Sequence, residues 1–366
     1  MLYLLGNLMK LALIRRRFTS TGGAELYVQR LLGGLVQRGH EVHLLTEQWD
    51  QAPPGVKVSL LPIKASRAAR PVAFATRVQA FLAERSYDCV FSLERTFRQD
   101  VYRAGDGVHR AWLDRRRAFA PWWRRPFLGQ GAFHRNMLRL EAVTFNPVNT
   151  RHVIVNSEMV RREIRERFNF PAERIHLVRN GVETKRFESS HRAGTRERLG
   201  VCEDEFLLLF VGSGWERKGL KYLLEAMRQL AGQRMKLLVV GKGSPLSQPP
   251  SNVIFGGSLA AVEDAYAAAD LFVFLPIYEP SANVCFEALA AGLPVVTSSQ
   301  NGAGEVLVEN LTGSVVQRPD DVGSVLKAIR FWASRPKGRI STTLDLSLDR
   351  NVDETLAVLE LAAREK

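Results

Sequence analysis

Short apolar runs alternate with amphipathic stretches along the chain. Runs rich in Leu, Val, Ile and Phe predict strands at 11–14, 42–46, 58–61, 89–92, 101–104 and 153–156. Between them, apolar positions recurring every three or four residues predict helices at 24–38, 72–85, 131–145 and 158–168. The plan repeats in the second half. Strands are predicted at 206–211, 236–240, 253–255, 271–274 and 294–297, with helices at 220–231, 260–268, 283–291 and 321–333. Such alternation argues for α/β architecture, with parallel sheets covered by helices on both faces.

Two units are expected, each a doubly wound Rossmann-like domain, over 1–172 and 173–349. The boundary falls near Phe170-Pro171, and a final helix over 352–364 packs back on the first domain. The length of 366 residues is long for one core and natural for two. Two such sheets facing a central cleft would place both carboxyl edges, where ligands of these sheets bind, on it.

Composition narrows the class. An apolar content of 46% and a charged content of 24% are those of a soluble globular chain. Three scattered cysteines show neither metal spacing nor a disulfide framework and suit a reducing cytoplasm. The apolar start is interrupted by Lys10 and followed, not preceded, by Arg15-Arg16-Arg17, the wrong order for a secretory signal. Met9 is a candidate start. The net charge of +13 is uneven. Residues 1–175 hold 29 Lys and Arg against 15 Asp and Glu, whereas 176–366 hold 22 against 23. A basic first half points to an anionic partner, against the plainer reading of a merely basic surface.

Candidate chemistry gathers after the strands. The strand ending at Val211 leads into Gly212-Ser213-Gly214-Trp215-Glu216-Arg217-Lys218-Gly219 and a helix. Helix N-terminal amides and two cations suit a diphosphate; taken alone, the segment is explained slightly better by a plain strand–helix turn with a solvated Arg-Lys pair. The spacing is neither a dinucleotide fingerprint nor a P-loop. Gly241-Lys242-Gly243 and Gly256-Gly257 follow the next two strands, and three such turns on one sheet mark a ligand edge. Glu279 and Glu287 flank a loop-to-helix junction where Ser281 or Asn283 serves as cap and Ala282 to Val284 present amides. Their eight-residue spacing is uninformative, because Glu158/Glu166 and Glu197/Glu205 share it; the context is what counts. A carboxylate accepts from two neighbouring hydroxyls, as in a sugar diol.

In the first half, Thr21-Gly22-Gly23-Ala24 follows the first strand. Asp106 sits between glycines, where it either engages a sugar hydroxyl or stabilises its turn; His109 is a second polar contact or a surface residue. Between Arg110 and Arg139 lie eight arginines, with Asp114 the sole acid. Arg115, Arg116, Arg117, Arg124 and Arg125 interleave there with Trp112, Trp122 and Trp123. So many arginines argue against a folded core region. Cationic heads with aromatic rings favour an anionic membrane surface over nucleic acid.

Together, Gly22-Gly23-Ala24-Glu25, Asn180-Gly181-Val182, Gly212 to Gly219 and Glu279 to Val296 resemble the retaining family-4 glycosyltransferases of the GT-B fold. The resemblance covers nearly the whole chain. The Tyr102 to Arg110 segment looks like that of the lipopolysaccharide core glucosyltransferase subgroup. The resemblance implies a UDP-sugar donor, UDP-glucose, and a phosphorylated glycolipid acceptor such as inner-core heptose. It also implies residence in the cytoplasm against the anionic inner face of the membrane. Arg217 and Lys218 would stabilise the leaving diphosphate, with Gly212 on the donor side. Glu287 would bind ribose, and Glu279 with the Ser281, Ala282, Asn283 and Val284 segment the transferred sugar. Gly22 and Gly23 would let the first domain approach the donor, and Asp106 would lie near the reacting centre. No Asp-x-Asp occurs, so no metal is expected. Alternatives are another family-4 transferase such as a mannosyltransferase, a GT-B epimerase, and a nucleic-acid-binding protein.

Overall fold

The computed structural model describes residues 8–17, 23–187, 191–243, 248–259 and 261–366, with backbone alone at 23–26. The chain divides into two compact units, Met1–Arg179 with Asp349–Lys366, and Asn180–Leu348. The first contains β1 (Lys10–Ile14), β2 (Glu41–Thr46), β3 (Val56–Leu60), β4 (Cys89–Ser92), β5 (Gln99–Arg103), β6 (Thr150–Val155) and β7 (Ile175–Leu177). Every pairing is parallel, in the order β3-β2-β1-β4-β5-β6-β7. The second contains β8 (Phe206–Val211), β9 (Met235–Val240), β10 (Val253–Gly257), β11 (Leu271–Phe274), β12 (Val295–Ser298) and β13 (Gly313–Val316). It too is all parallel, in the order β10-β9-β8-β11-β12-β13.

Both orders reverse direction beside their first strand, between β1 and β4 and between β8 and β11. That crevice is the ligand-binding switch point of doubly wound sheets. The central strands are continuous apolar runs, because helices cover both of their faces. In β8, Leu207 to Phe210 are wholly buried, as are Leu271 to Phe274 in β11.

Four elements differ from the sequence reading. The short strands β7 and β13 offer too few apolar residues to register as runs. The Arg192–Arg198 helix is dominated by charge. The His109–Ala118 helix lies within the basic-aromatic segment, where the sequence reading placed no helix. It buries only Ala111 and Leu113 and leaves its arginines partly exposed, so no arginine needs to enter a core. The first unit also runs past residue 172, because β7 extends its sheet.

The Leu348–Arg364 helix carries the chain back to the first unit. Its Asn351 is fully buried, accepts from the Tyr27 hydroxyl at 2.8 Å and donates to the Arg179 carbonyl at 2.6 Å. Burial pushes the Tyr27 phenol up, so it stays a donor. Asn351→Ala removes both of these bonds from a buried position and should cost about 1–3 kcal/mol of unfolding free energy. Urea denaturation monitored by tryptophan fluorescence measures this, and an unchanged midpoint would contradict it.

Candidate active site

In the second unit, the β8–helix loop is built around Gly219. Its φ is +75°, and a Cβ there would lie 1.6 Å from the Leu275 carbonyl oxygen. Only glycine permits that approach. The loop is thereby laid against the segment following β11, and the Ile277 amide donates to the Arg217 carbonyl at 3.1 Å. Arg217 Nη1 then reaches Glu279 at 2.7 Å and the Tyr278 carbonyl at 3.3 Å. Lys218 Nζ lies 3.9 Å from the same carboxylate and 5.2 Å from the Phe274 ring centre. The two cations and Glu279, far apart in sequence, thus meet at the β8/β11 switch point.

Glu279 is held from behind by backbone. Its amide donates to the Gln300 carbonyl at 2.8 Å and its carbonyl accepts from the Gly302 amide at 3.0 Å. Asn301, which the sequence did not single out, organises this corner. Its Oδ1 accepts from the Ala282 amide at 3.2 Å and the Ala303 amide at 3.1 Å, and its Nδ2 donates to Thr297 Oγ1 at 3.0 Å. The Ala282 amide is therefore engaged internally, which removes it from the amides expected to be open from Ala282 to Val284. The cap also differs. Ala282 is the N-cap of the Asn283–Ala290 helix, and no side chain caps it. Asn283 Oδ1 instead accepts from Asn180 Nδ2 at 2.7 Å, and Ser281 is buried with its hydroxyl unpartnered. An uncapped helix start presents its positive end to a ligand. One turn on, a Glu287 oxygen accepts from the buried Tyr266 hydroxyl at 2.8 Å, which orients that carboxylate.

At the neighbouring strand ends, Trp215 packs over Gly243, where a Cβ would lie 2.1 Å from the indole. Its Nε1 donates to the Gly212 carbonyl at 3.1 Å, and its ring sits 5.7 Å from that of Phe255. An aromatic pair therefore lines this edge, although no aromatic follows Gly256-Gly257 in sequence.

In the first unit, Gly22 lies outside the described residues and Gly23 opens the Gly23–Gln37 helix. Asp106 is exposed on the turn after β5. Two buried residues beneath it escaped the sequence reading. Arg95 Nη2 donates to the Gly107 carbonyl at 2.8 Å and to Glu141 at 3.2 Å. Glu141, 1% exposed, also accepts from the amides of His109 and Arg110 at the start of the His109–Ala118 helix. An ion pair thus doubles as a helix cap and fixes the Asp106 turn from below. His109 Nε2 meets His134 Nδ1 at 3.1 Å. Burial, with Arg95, His134 and Arg110 nearby, pushes the His109 imidazole down to about 3, so it is neutral near pH 7. Trp122, Trp123 and Phe127 are 79%, 53% and 77% exposed, with the Arg124 guanidinium 4.7 Å over the Trp123 ring. Arg115, Arg116 and Arg117 occupy the preceding helix and Arg125 the same short 3-10 segment. No described helix is long and apolar enough to cross a membrane.

Comparison with known proteins agrees with this fold. A model of glycosyltransferase family 4 matches residues 21–186, and one of glycosyl transferases group 1 matches 205–334. The chain is 25% identical over 315 residues to the lipopolysaccharide glucosyltransferase WaaG of Escherichia coli, covering 81% of this chain and 82% of that one. An uncharacterised glycosyltransferase of Methanocaldococcus jannaschii is 30% identical over 202 residues, a match spanning 50% of this chain and 52% of the relative. The crystal structure of WaaG superposes with a TM-score of 0.76 at 22% identity, covering 97% and 98% of the two chains. Parallel sheets of this order, a cationic switch point and family models matching in both units define a glycosyltransferase of the GT-B fold. The chain belongs to the family-4 glycosyltransferases.

Glu141→Ala would leave Arg95 buried without its carboxylate and two helix amides unmet. A loss of about 3–5 kcal/mol is expected, with Glu141→Gln losing less. Chemical denaturation of both variants tests this; equal, small losses would show that the pair supports nothing.

Proposed function

We propose that the protein transfers a hexose, glucose from UDP-glucose, to a phosphorylated membrane glycolipid such as lipopolysaccharide inner-core heptose. The observation that carries this reading is the junction of Arg217, Lys218 and Glu279 beside the uncapped Asn283–Ala290 helix. Fixed cations and open amides suit a diphosphate on which negative charge grows. Glu287, its carboxylate oriented by the Tyr266 hydroxyl, binds the ribose diol. Trp215 and Phe255 offer an apolar face to the base. Glu279, already oriented by Arg217, accepts from hydroxyls of the transferred sugar, to whose oxygens the Asn283 and Val284 amides donate. The name of the Escherichia coli relative supports glucose and lipopolysaccharide.

In the reaction, the bond between the anomeric carbon and the donor phosphate oxygen breaks, and one forms to the acceptor oxygen. The acceptor proton passes to the departing phosphate oxygen on the same face, which retains configuration. Asp106 positions the acceptor hydroxyl. Arg217 and Lys218 supply the charge that a divalent ion supplies in other transferases, so turnover proceeds without metal.

A panel of nucleotide sugars with a heptose-containing lipid acceptor in EDTA tests this. The expected product carries the donor's anomeric configuration by NMR coupling; no transfer from any donor would overturn the reading. Arg217→Ala should weaken UDP binding about tenfold or more, measured by calorimetry, and unchanged affinity would remove Arg217 from the diphosphate site.

The enzyme works at the anionic cytoplasmic face of the membrane, held there by the exposed Trp122, Trp123, Arg124 and Arg125 with Arg115, Arg116 and Arg117. Replacing Arg115, Arg116 and Arg117 by Ala should reduce partitioning onto phosphatidylglycerol vesicles, more at low salt than at high. Equal partitioning in a flotation assay would favour an acceptor met in solution.

A further inference from the structure

The switch point of the first sheet carries a charge cluster that the proposed transfer leaves unused. Glu47 follows β2, and its side chain is only 8% exposed. Three guanidiniums converge on its carboxylate. Arg17 donates from Nε at 3.3 Å and Nη2 at 3.2 Å, Arg16 from Nη1 at 3.4 Å, and Arg70 from Nη1 at 2.5 Å. Beside them, over β4, Glu94 pairs with Arg15 at 3.5 Å and accepts from the Arg16 amide at 3.2 Å. Among the described residues, three cations (Arg16, Arg17, Arg70) thus face the one Glu47 carboxylate.

Folding alone does not call for this grouping. One guanidinium satisfies a carboxylate bidentately, and each further one adds like-charge repulsion. Yet the group is held in place. The Arg16 carbonyl accepts from the Glu47 amide at 2.8 Å and from Thr46 Oγ1 at 3.0 Å. Arg70 Nη2 donates to the Ala65 carbonyl at 3.3 Å. The side chains of Arg16, Arg17 and Arg70 remain 28%, 44% and 27% exposed. Arginines held together, partly desolvated and short of negative charge form a ready-made oxyanion fork.

We propose that Arg16, Arg17 and Arg70, spaced by Glu47, form a subsite for a phosphate group carried by the acceptor. The word acceptor rests on the transferase reading; the anion subsite does not. In the order β2-β1-β4-β5, the cluster lies two to three strands from the Asp106 turn, a separation on the order of 10–15 Å. The phosphate therefore sits on a part of the acceptor neighbouring the sugar that reacts.

Titration of the full-length protein with a hexose phosphomonoester, followed by NMR at low salt, tests this without donor or turnover. Failure of sugar transfer would therefore leave its result standing. Arg17→Ala combined with Arg70→Ala should raise the dissociation constant about tenfold or more, whereas Arg217→Ala should leave it unchanged. The unphosphorylated hexose should bind the wild type and the double variant alike. Partitioning onto phosphatidylglycerol vesicles should not change, which separates a glycan phosphate from a lipid headgroup. Should the double variant not fold, Arg17→Gln, at the most exposed of the three positions, should still weaken binding severalfold. An unchanged dissociation constant, loss through Arg217→Ala alone, or loss confined to vesicles would each overturn the proposal.

Discussion

The second unit depends on one backbone contact. Because Gly219 has no side chain, the turn after β8 can lie against the Leu275 carbonyl, and everything charged at that edge follows. Arg217 and Lys218 are adjacent in sequence and would diverge on an ordinary turn. Pressed against the segment after β11, both instead face Glu279. Asn301 completes the corner by taking up the Ala282 amide, so the helix that begins at Asn283 starts from a rigid platform. A cation site of this kind costs little reorganisation when charge develops on a ligand.

The first unit solves a related problem differently. Its Asp106 turn is exposed and carries little apolar surface, so packing alone cannot fix it. The buried Arg95–Glu141 pair does so, spending hydrogen bonds on the Gly107 carbonyl and on the start of the next helix. Such a pair is expensive to bury and is retained here where it determines the geometry of an exposed loop.

Much of this was legible in the sequence. Short continuous apolar runs such as 206–211 and 271–274, bounded by turn residues, fit buried parallel strands, and the fold class followed from their alternation with helices. Arg217 and Lys218 were also readable as a pair in a glycine turn after a strand, and Glu279 and Glu287 as carboxylates flanking a loop-to-helix junction. What escaped notice depends on distant partners. Arg95 and Glu141 pair across 46 residues, and Asn301, although it caps the turn after it through Ala303, fixes the corner through Ala282. The helix at 109–118 was hidden for another reason: its buried face is two small apolar side chains among arginines, too narrow for a hydrophobic stripe to show. The cap at 281–283 was misread because a competing side-chain bond from Asn180 occupies Asn283.

The division of the chain also orders events during synthesis. Residues 180–348 form a contiguous unit, while the first unit is split, its last helix emerging only after the other is complete. Until then Tyr27 lacks Asn351 and the surface under that helix is open. On the ribosome the later-made unit can therefore finish folding first, and the earlier one waits for the end of translation. A prematurely terminated chain would expose an unfinished first unit to proteolysis even with a complete second one.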